Sequence, residues 1–479
     1  MLLDVLHISF EYFPAAKAGG LADVVGALPK YLNLGKLKSA VVIPKHGTKW
    51  MNAQKWKEVH VAKINLFNKN FSYTISKYNG KDHPLFVVES KGLFDRSSIY
   101  IDKITGKGYE DEVQRSIAFQ MMVLDWLLSF KKAPKVLHCH DHHTGLIPFF
   151  IKYSKHYTKL EKTPTVFTIH NGAYHGAFDW KQSHLLPAFD ISKQGLLDWN
   201  NQINPLATAI KCAWKVTTVS PGYMEELRYK SSGLETLIEH EHEKSLGVIN
   251  GIDTSVWDPS TDPMITDTLN GDLATFKAAN KKALEKFFKV DFSKPIITFI
   301  GRFAYEKGVQ FLPDLITRYL SYKNDVSFLI LGTGNKDLEQ LLQKTKELFP
   351  ENCDVVLAYD EKLAHQLYAG SDFLIMPSKV EPCGLNQMYA MRYGTIPIVH
   401  GIGGLKDTVI DLKEKNGYGI RFDRLNIYDA FDAVKRATEL YSDTSKFEKI
   451  RKKVLALDFS WDQSAKNYKD IYSSLMKLK

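Results

Sequence analysis

The chain has 479 residues, 44% of them hydrophobic and 24% charged, and 63 Lys and Arg against 54 Asp and Glu give a net charge of +9. That length exceeds what one hydrophobic core usually serves, so two domains are expected, and the composition is that of an ordinary globular protein. No long uncharged apolar stretch suggests a membrane span, and the basic residues are interleaved with acids, so neither membrane nor nucleic acid is an expected partner; the mild positive bias suits a small anionic substrate. Asp4 interrupts the short apolar start, which reads as a buried strand and not as a signal peptide, and points to the cytoplasm. Cys139, Cys212, Cys353 and Cys383 are scattered without a CxxC pair, which suggests neither a disulfide framework nor a zinc ribbon.

The first strand is expected in the apolar run Val5–Phe10. Lys17-Ala18-Gly19-Gly20-Leu21-Ala22-Asp23 follows it as a glycine turn opening a helix. Adjacent glycines let backbone amides approach an anion, the helix start adds partial positive charge and Lys17 a full one, so the turn suits phosphate; a plain turn is the alternative. Further strands are expected at Ser39–Pro44, Val136–Cys139, Thr165–Ile169 and Val216–Val219. The segment His138-Cys139-His140-Asp141-His142-His143 has the residues of a metal site, but neighbouring side chains on a strand-to-loop segment are expected to diverge and no HExxH spacing accompanies them. No metal is therefore expected; Asp141 reads as a carboxylate on the acceptor side of a site, or as a loop-capping residue. His170 ends the next strand at the same sheet edge.

A boundary is expected near Gly247, with the polar stretch from about Asn250 to Asp272 as connection and surface loop. Beyond it, apolar runs at Ile296–Ile300, Val326–Leu331, Phe373–Met376 and Ile396–Val399 alternate with helix-like segments, as in a second parallel sheet covered on both faces. Gly301-Arg302-Phe303-Ala304-Tyr305-Glu306-Lys307-Gly308 follows the first of these, placing two cations where open α/β sheets bind ligands. An Arg fork and a mobile Lys charge suit a diphosphate leaving group. Pro377-Ser378-Lys379-Val380-Glu381-Pro382-Cys383-Gly384-Leu385 leads into a helix that Gly394 terminates. Amides near Cys383, Gly384 and Leu385 suit phosphate oxygens, and Glu381 suits sugar hydroxyls or else serves only the helix dipole. The fold class is therefore α/β with two doubly wound domains.

Taken in order, KAGGLADVVGALP, HCHDHHTGL, TIHNGAYHG, VSPGYMEE, VINGID, GRFAYEKG, LGTG, PSKVEPCGLNQ and GGLKDTV resemble the bacterial and plant glycogen/starch synthases from Lys17 to beyond Val409. The resemblance implies a GT-B glycosyltransferase, two Rossmann-like domains facing a deep cleft, with residues 1–246 on the acceptor side, 247–457 on the donor side and 458–479 as a helix returning to the first domain. It implies transfer of glucose from ADP-glucose, or alternatively UDP-glucose, to the non-reducing end of an α-1,4-glucan with retention and without a cofactor. Lys17, Arg302 and Lys307 match diphosphate contacts, and Gly19 with Gly20 the loop over the donor. His170 and Asn250 match the partners of the glucose 6-hydroxyl, Glu381 the essential acid, Asp141 the acceptor carboxylate and Tyr359 the residue near the base. Two positions depart from the pattern: His142 stands where Trp is usual, which bears on acceptor stacking, and Asn386 where Thr is usual, which bears on donor choice. Another nucleotide-sugar transferase of the same fold and a non-catalytic glucan-binding protein are the rival readings. A dehydrogenase would want GxGxxG after the first strand, and a phosphorylase a cofactor-bearing lysine segment; neither is found.

Overall fold

The computed structural model describes residues 2–80 and 82–477. Two compact units emerge. One takes the chain up to Val219, then Met224–Ile249 and the segment from Trp461; the other takes Ser220–Tyr223 and Asn250–Ser460.

The first unit holds β1 (Val5–Ile8), β2 (Ser39–Pro44), β3 (Lys57–Leu66), β4 (Lys69–Asn79), β5 (Pro84–Glu89), β6 (Val136–His140), β7 (Thr165–Ile169), the short β8 (Asp198–Trp199) and β9 (Gln202–Ile203), β10 (Lys215–Thr218) and β11 (Ser245–Gly247). Its main sheet runs β11-β10-β7-β6-β1-β2-β5-β4-β3. β1, β2, β6 and β7 are buried along their whole length, as strands covered on both faces by helices must be. The expectation of parallel strands alone is corrected at one edge, where β3 and β4 form an antiparallel hairpin on β5. Its two-residue turn puts Phe67 and Asn68 at φ of 57° and 59°, the twist-matched turn that joins adjacent antiparallel strands. Helix Gly20–Leu34 buries Leu21, Val24, Val25, Leu28 and Leu32 at helical spacing. Val24, Leu28 and Leu32 share a core cluster with Trp461, Tyr468, Tyr472 and Leu475 of helix Trp461–Lys477.

The second unit holds β12 (Ile296–Ile300), β13 (Ser327–Gly332), β14 (Cys353–Leu357), β15 (Phe373–Met376), β16 (Ile396–His400) and β17 (Ile420–Phe422). All are parallel, in the order β14-β13-β12-β15-β16-β17. The stretch from Asn250 to Asp272, expected as a polar connection, is instead a packed clasp. Trp257 stacks between His365 and Tyr389 at ring separations of 3.9 and 3.7 Å. The buried Asp262 accepts a hydrogen bond from Tyr393 Oη at 2.5 Å and lies 2.7 Å from His365 Nδ1. Polar composition concealed this because a single aromatic anchor and one buried carboxylate carry the packing.

In each sheet the connections reverse direction once, between β1 and β6 in the first and between β12 and β15 in the second. At such a switch point the loops leaving two neighbouring strands part, and a crevice opens at the strands' C-terminal ends. The motifs singled out in the sequence follow β1, β6, β12 and β15.

Candidate active site

In the second unit, Arg302 and Lys307 follow β12 and Glu381 follows β15, so all three sit at the switch point. Lys307 Nζ donates to both carboxylate oxygens of Glu381 at 2.9 and 2.8 Å, and Ser378 Oγ donates to the same carboxylate at 2.9 Å. Glu381 is buried and Lys307 about one-third exposed, so the pair has a protected carboxylate and an accessible ammonium. The loop approach that creates it needs Gly308, which adopts φ +70° and whose missing Cβ would lie 1.7 Å from the Pro377 carbonyl oxygen. Arg302 is exposed and donates to Glu306 Oε1 at 2.6 Å. Such a surface pair is weak enough, about 0–1 kcal/mol, for a phosphate to take the guanidinium over.

The turn ahead of helix Asn386–Arg392 is held by Gln387, whose Nε2 lies 3.1 and 3.0 Å from the carbonyls of Cys383 and Gly384. Because a trans peptide points its C=O and the following N–H in opposite directions, the amides of Gly384 and Leu385 face away from Gln387. Asn250 lies against this turn, its backbone N–H donating to Cys383 Sγ, and burial pushes the Cys383 thiol up to about 12. Asn250 Oδ1 is buried and has no hydrogen-bond partner among the described residues, an acceptor ready for a ligand hydroxyl. Asn386, expected to bear on the donor, is turned inward: its Nδ2 donates to the Ile300 carbonyl at 2.7 Å and ties the helix to the end of β12. Tyr359 follows the edge strand β14 and is 84% exposed, free to stack.

In the first unit, Lys17, Gly19 and Gly20 follow β1 and are exposed. Lys17 Nζ lies 2.7 Å from Asp23 Oδ1 and 5.1 Å from the centre of the Phe13 ring. The expectation that this turn's amides are open to phosphate is corrected for Ala18 and Gly19. Ala18 and Gly19 donate to Glu11 Oε2 at 2.6 and 2.9 Å, so a carboxylate of the chain itself fills the anion nest. Glu11 is buried, takes a third hydrogen bond from Tyr100 Oη at 2.8 Å, and has its pKa raised by burial against those three bonds. Glu11 was missed from sequence; its one signal is a carboxylate placed directly after the first strand.

Asp141 and His170 end β6 and β7 beside it. Asp141 has φ 56°, a conformation that costs a non-glycine residue about 1–3 kcal/mol and concentrates at functional sites. Its Oδ1 accepts the His170 amide at 2.7 Å, and burial raises its carboxyl to about 7 despite that bond. His170 Nε2 lies 3.1 Å from His140 Nδ1, and His140 Nε2 lies 3.1 Å from His7 Nδ1. Burial lowers His170 and His7 to about 3, so the rings are neutral and each carries a single N–H. The three N–H bonds must then all point the same way along the chain. His138 is held apart from it by Tyr472 and Thr168, each 2.6 Å from a ring nitrogen. The premise that these histidines diverge is corrected: positions two apart on β6 face the same side, where β1 and β7 supply His7 and His170, while His142 and His143 fold back together with ring centres 3.8 Å apart.

Two α/β units, each with its polar side chains at a switch point, have the architecture of a GT-B glycosyltransferase. Residues 4–240 match the family described as starch synthase catalytic domain, and residues 280–454 match glycosyl transferases group 1. The chain is 43% identical to the glycogen synthase of Flavobacterium johnsoniae, with all of both chains covered. It is 34% identical to that of Bacillus cereus, over 99% of this chain and 100% of the relative. Its fold matches the catalytic domain of starch synthase IV from Arabidopsis thaliana, a structure bound to ADP and acarbose, with TM-score 0.87, 30% identity and full coverage of both chains. A sucrose-phosphate synthase from Thermosynechococcus elongatus, also fully covered, shares the fold at TM-score 0.63 and 15% identity. The chain belongs to the glycogen/starch synthase family and is a glycosyltransferase. Among the described residues no helix is long and apolar enough to cross a membrane.

Proposed function

We propose that this enzyme moves the glucosyl group of ADP-glucose to the non-reducing end of an α-1,4-glucan with its anomeric configuration retained. The observation that carries the reading is the Lys307–Glu381 pair at the switch point of the second sheet, an accessible cation locked to a buried carboxylate. In the proposed reaction the bond between the anomeric carbon and the diphosphate breaks, and its electron pair leaves on ADP. Arg302, Lys307 and, from the first unit, Lys17 are assigned to the growing negative charge, which lowers the barrier to departure. Amides of Gly384 and Leu385 are assigned to phosphate oxygens, Tyr359 to the base, and the loop at Gly19 and Gly20 to the donor. Asn250 and His170 are assigned to the glucose 6-hydroxyl and Glu381 to the sugar, with Asp141 on the acceptor side. The glucan hydroxyl bonds to the anomeric carbon from the face that ADP leaves and passes its proton to a phosphate oxygen, so no second catalytic carboxylate is required. ADP in the related plant structure is the product such a donor would release, which supports ADP-glucose over UDP-glucose.

The test is to incubate the protein with glycogen and either ADP-glucose or UDP-glucose, without added metal, and to follow nucleoside diphosphate release together with glucan growth. Growth of glucan with ADP-glucose as the better donor is expected. Preference for UDP-glucose would overturn the donor assignment, and nucleotide binding without glucan growth would favour a non-catalytic glucan-binding protein.

A further inference from the structure

Glu112 opens helix Glu112–Leu128, and His142 and His143 follow Asp141 on the turn after β6. Their ligand atoms converge. His143 Nε2 is 3.2 Å and His142 Nε2 is 3.9 Å from the same carboxylate oxygen, Glu112 Oε1, and one ligand atom from each residue lies within 4.8 Å of the others. Two ligands held about 2.0–2.1 Å from a tetrahedral zinc ion stand about 3.3 Å apart, so the His143–Glu112 distance already fits, and binding requires the His142 ring to swing out of its 3.8 Å contact with His143 until both ring planes hold the ion.

The His143 ring is held before any ion arrives. His143 stacks on Phe10 and Tyr100 at centroid distances of 4.4 and 5.1 Å. His142 packs against Gly176, at φ +65°, where a Cβ would come within 2.4 Å of the imidazole Cδ2. The His142 side chain is 13% exposed and that of Glu112 43%, so solvent reaches the open side of the cluster.

A second histidine group, His7, His138 and His140, lacks these properties. Both nitrogens of His138 are engaged by Tyr472 and Thr168, and all three rings are fully buried without a carboxylate ligand in the group. A dication there would be desolvated with no counter-charge, whereas Glu112 supplies one. We propose that Glu112, His142 and His143 form a binding site for a borderline transition-metal dication of the zinc class, with two imidazoles and one carboxylate as ligands and the remaining positions open to water. The ion would pin the turn that carries Asp141. It takes no part in the transfer step, so the assignment stands or falls separately from that of the donor site.

Titrating the full-length protein with Co²⁺ tests this, reading the visible ligand-field bands of low-coordinate cobalt and the metal-to-protein ratio at saturation. One equivalent with bands displaced by Zn²⁺ is expected. Glu112→Gln and His142→Gln should each abolish the bands and weaken binding at least about tenfold, while His240→Gln, at an exposed histidine with one carboxylate neighbour, should leave both unchanged. Circular dichroism of the metal-free variants establishes that they are folded; Glu112, being nearly half exposed, is the substitution the fold tolerates best. Absence of saturable binding to the parent protein, or equal binding by the folded Glu112→Gln variant, would overturn the site.

Discussion

Lys307 and Arg302 are both cations near one switch point, yet their substitution should have different physical consequences. Lys307→Ala strands the buried Glu381 carboxylate, so a loss of about 1–3 kcal/mol in stability should accompany the loss of turnover. Arg302 is exposed and its pair with Glu306 contributes little, so Arg302→Ala should leave the melting temperature within about a degree while lowering kcat by about 100-fold or more. Thermal melts and ADP release measured on the two variants check this. Near-normal turnover in Arg302→Ala would remove Arg302 from the reaction. For single residues, what the sequence made legible was their place beyond a strand end, as for Arg302 after β12 and Asp141 after β6. The role of Glu11 was not legible, because it depends on a bond to amides seven and eight residues away that no local pattern encodes.

Two loops at the end of the second sheet approach so closely that only backbone fits between them. Gly308→Ala meets both a positive φ and the Pro377 carbonyl, and should destabilise the second unit by more than about 2 kcal/mol or shift the loop that carries Lys307. A denaturant melt with donor affinity as a second readout distinguishes the outcomes; an unchanged Gly308→Ala enzyme would refute the tight approach. The clasp offers a contrast. Trp257→Ala removes a ring stacked on both faces and should cost about 3 kcal/mol, read as a lower denaturation midpoint, although Trp257 lies in a stretch whose composition suggested a loop. The parallel strands were legible because each is a short apolar run between turn residues. The β3–β4 hairpin was not, because its half-exposed strands mix Lys, Asn and Ser with Val and Ile and resemble neither a buried strand nor a helix.

At the scale of the molecule, titratable groups make the first unit the acid-sensitive one. Burial holds His7, His143 and His170 at about 3, His46 and His83 at about 4, and His138 and His140 well below their usual value. Unfolded, these rings protonate near pH 6.5, so below that pH the unfolded state binds more protons and stability falls as pH drops from about 6.5 towards the folded values, by up to about 1.4 kcal/mol per pH unit for each ring. The raised carboxyls of Glu11 and Asp141 act in the opposite sense but are two against seven. Hydrogen exchange at pH 7.5 and 5 should therefore show β1, β6 and β7 opening before β12 and β13 on acidification. Uniform protection in both units would contradict the assignment of neutral buried rings.

Helix Trp461–Lys477 lends Trp461, Tyr468, Tyr472 and Leu475 to a cluster that begins with Val5 and Val24. During synthesis these residues leave the ribosome only after the whole of Asn250–Ser460 has been made. Until then Val24, Leu28 and Leu32 lack the side chains that cover them in the folded unit, so the first unit completes its core only after the second has been synthesised.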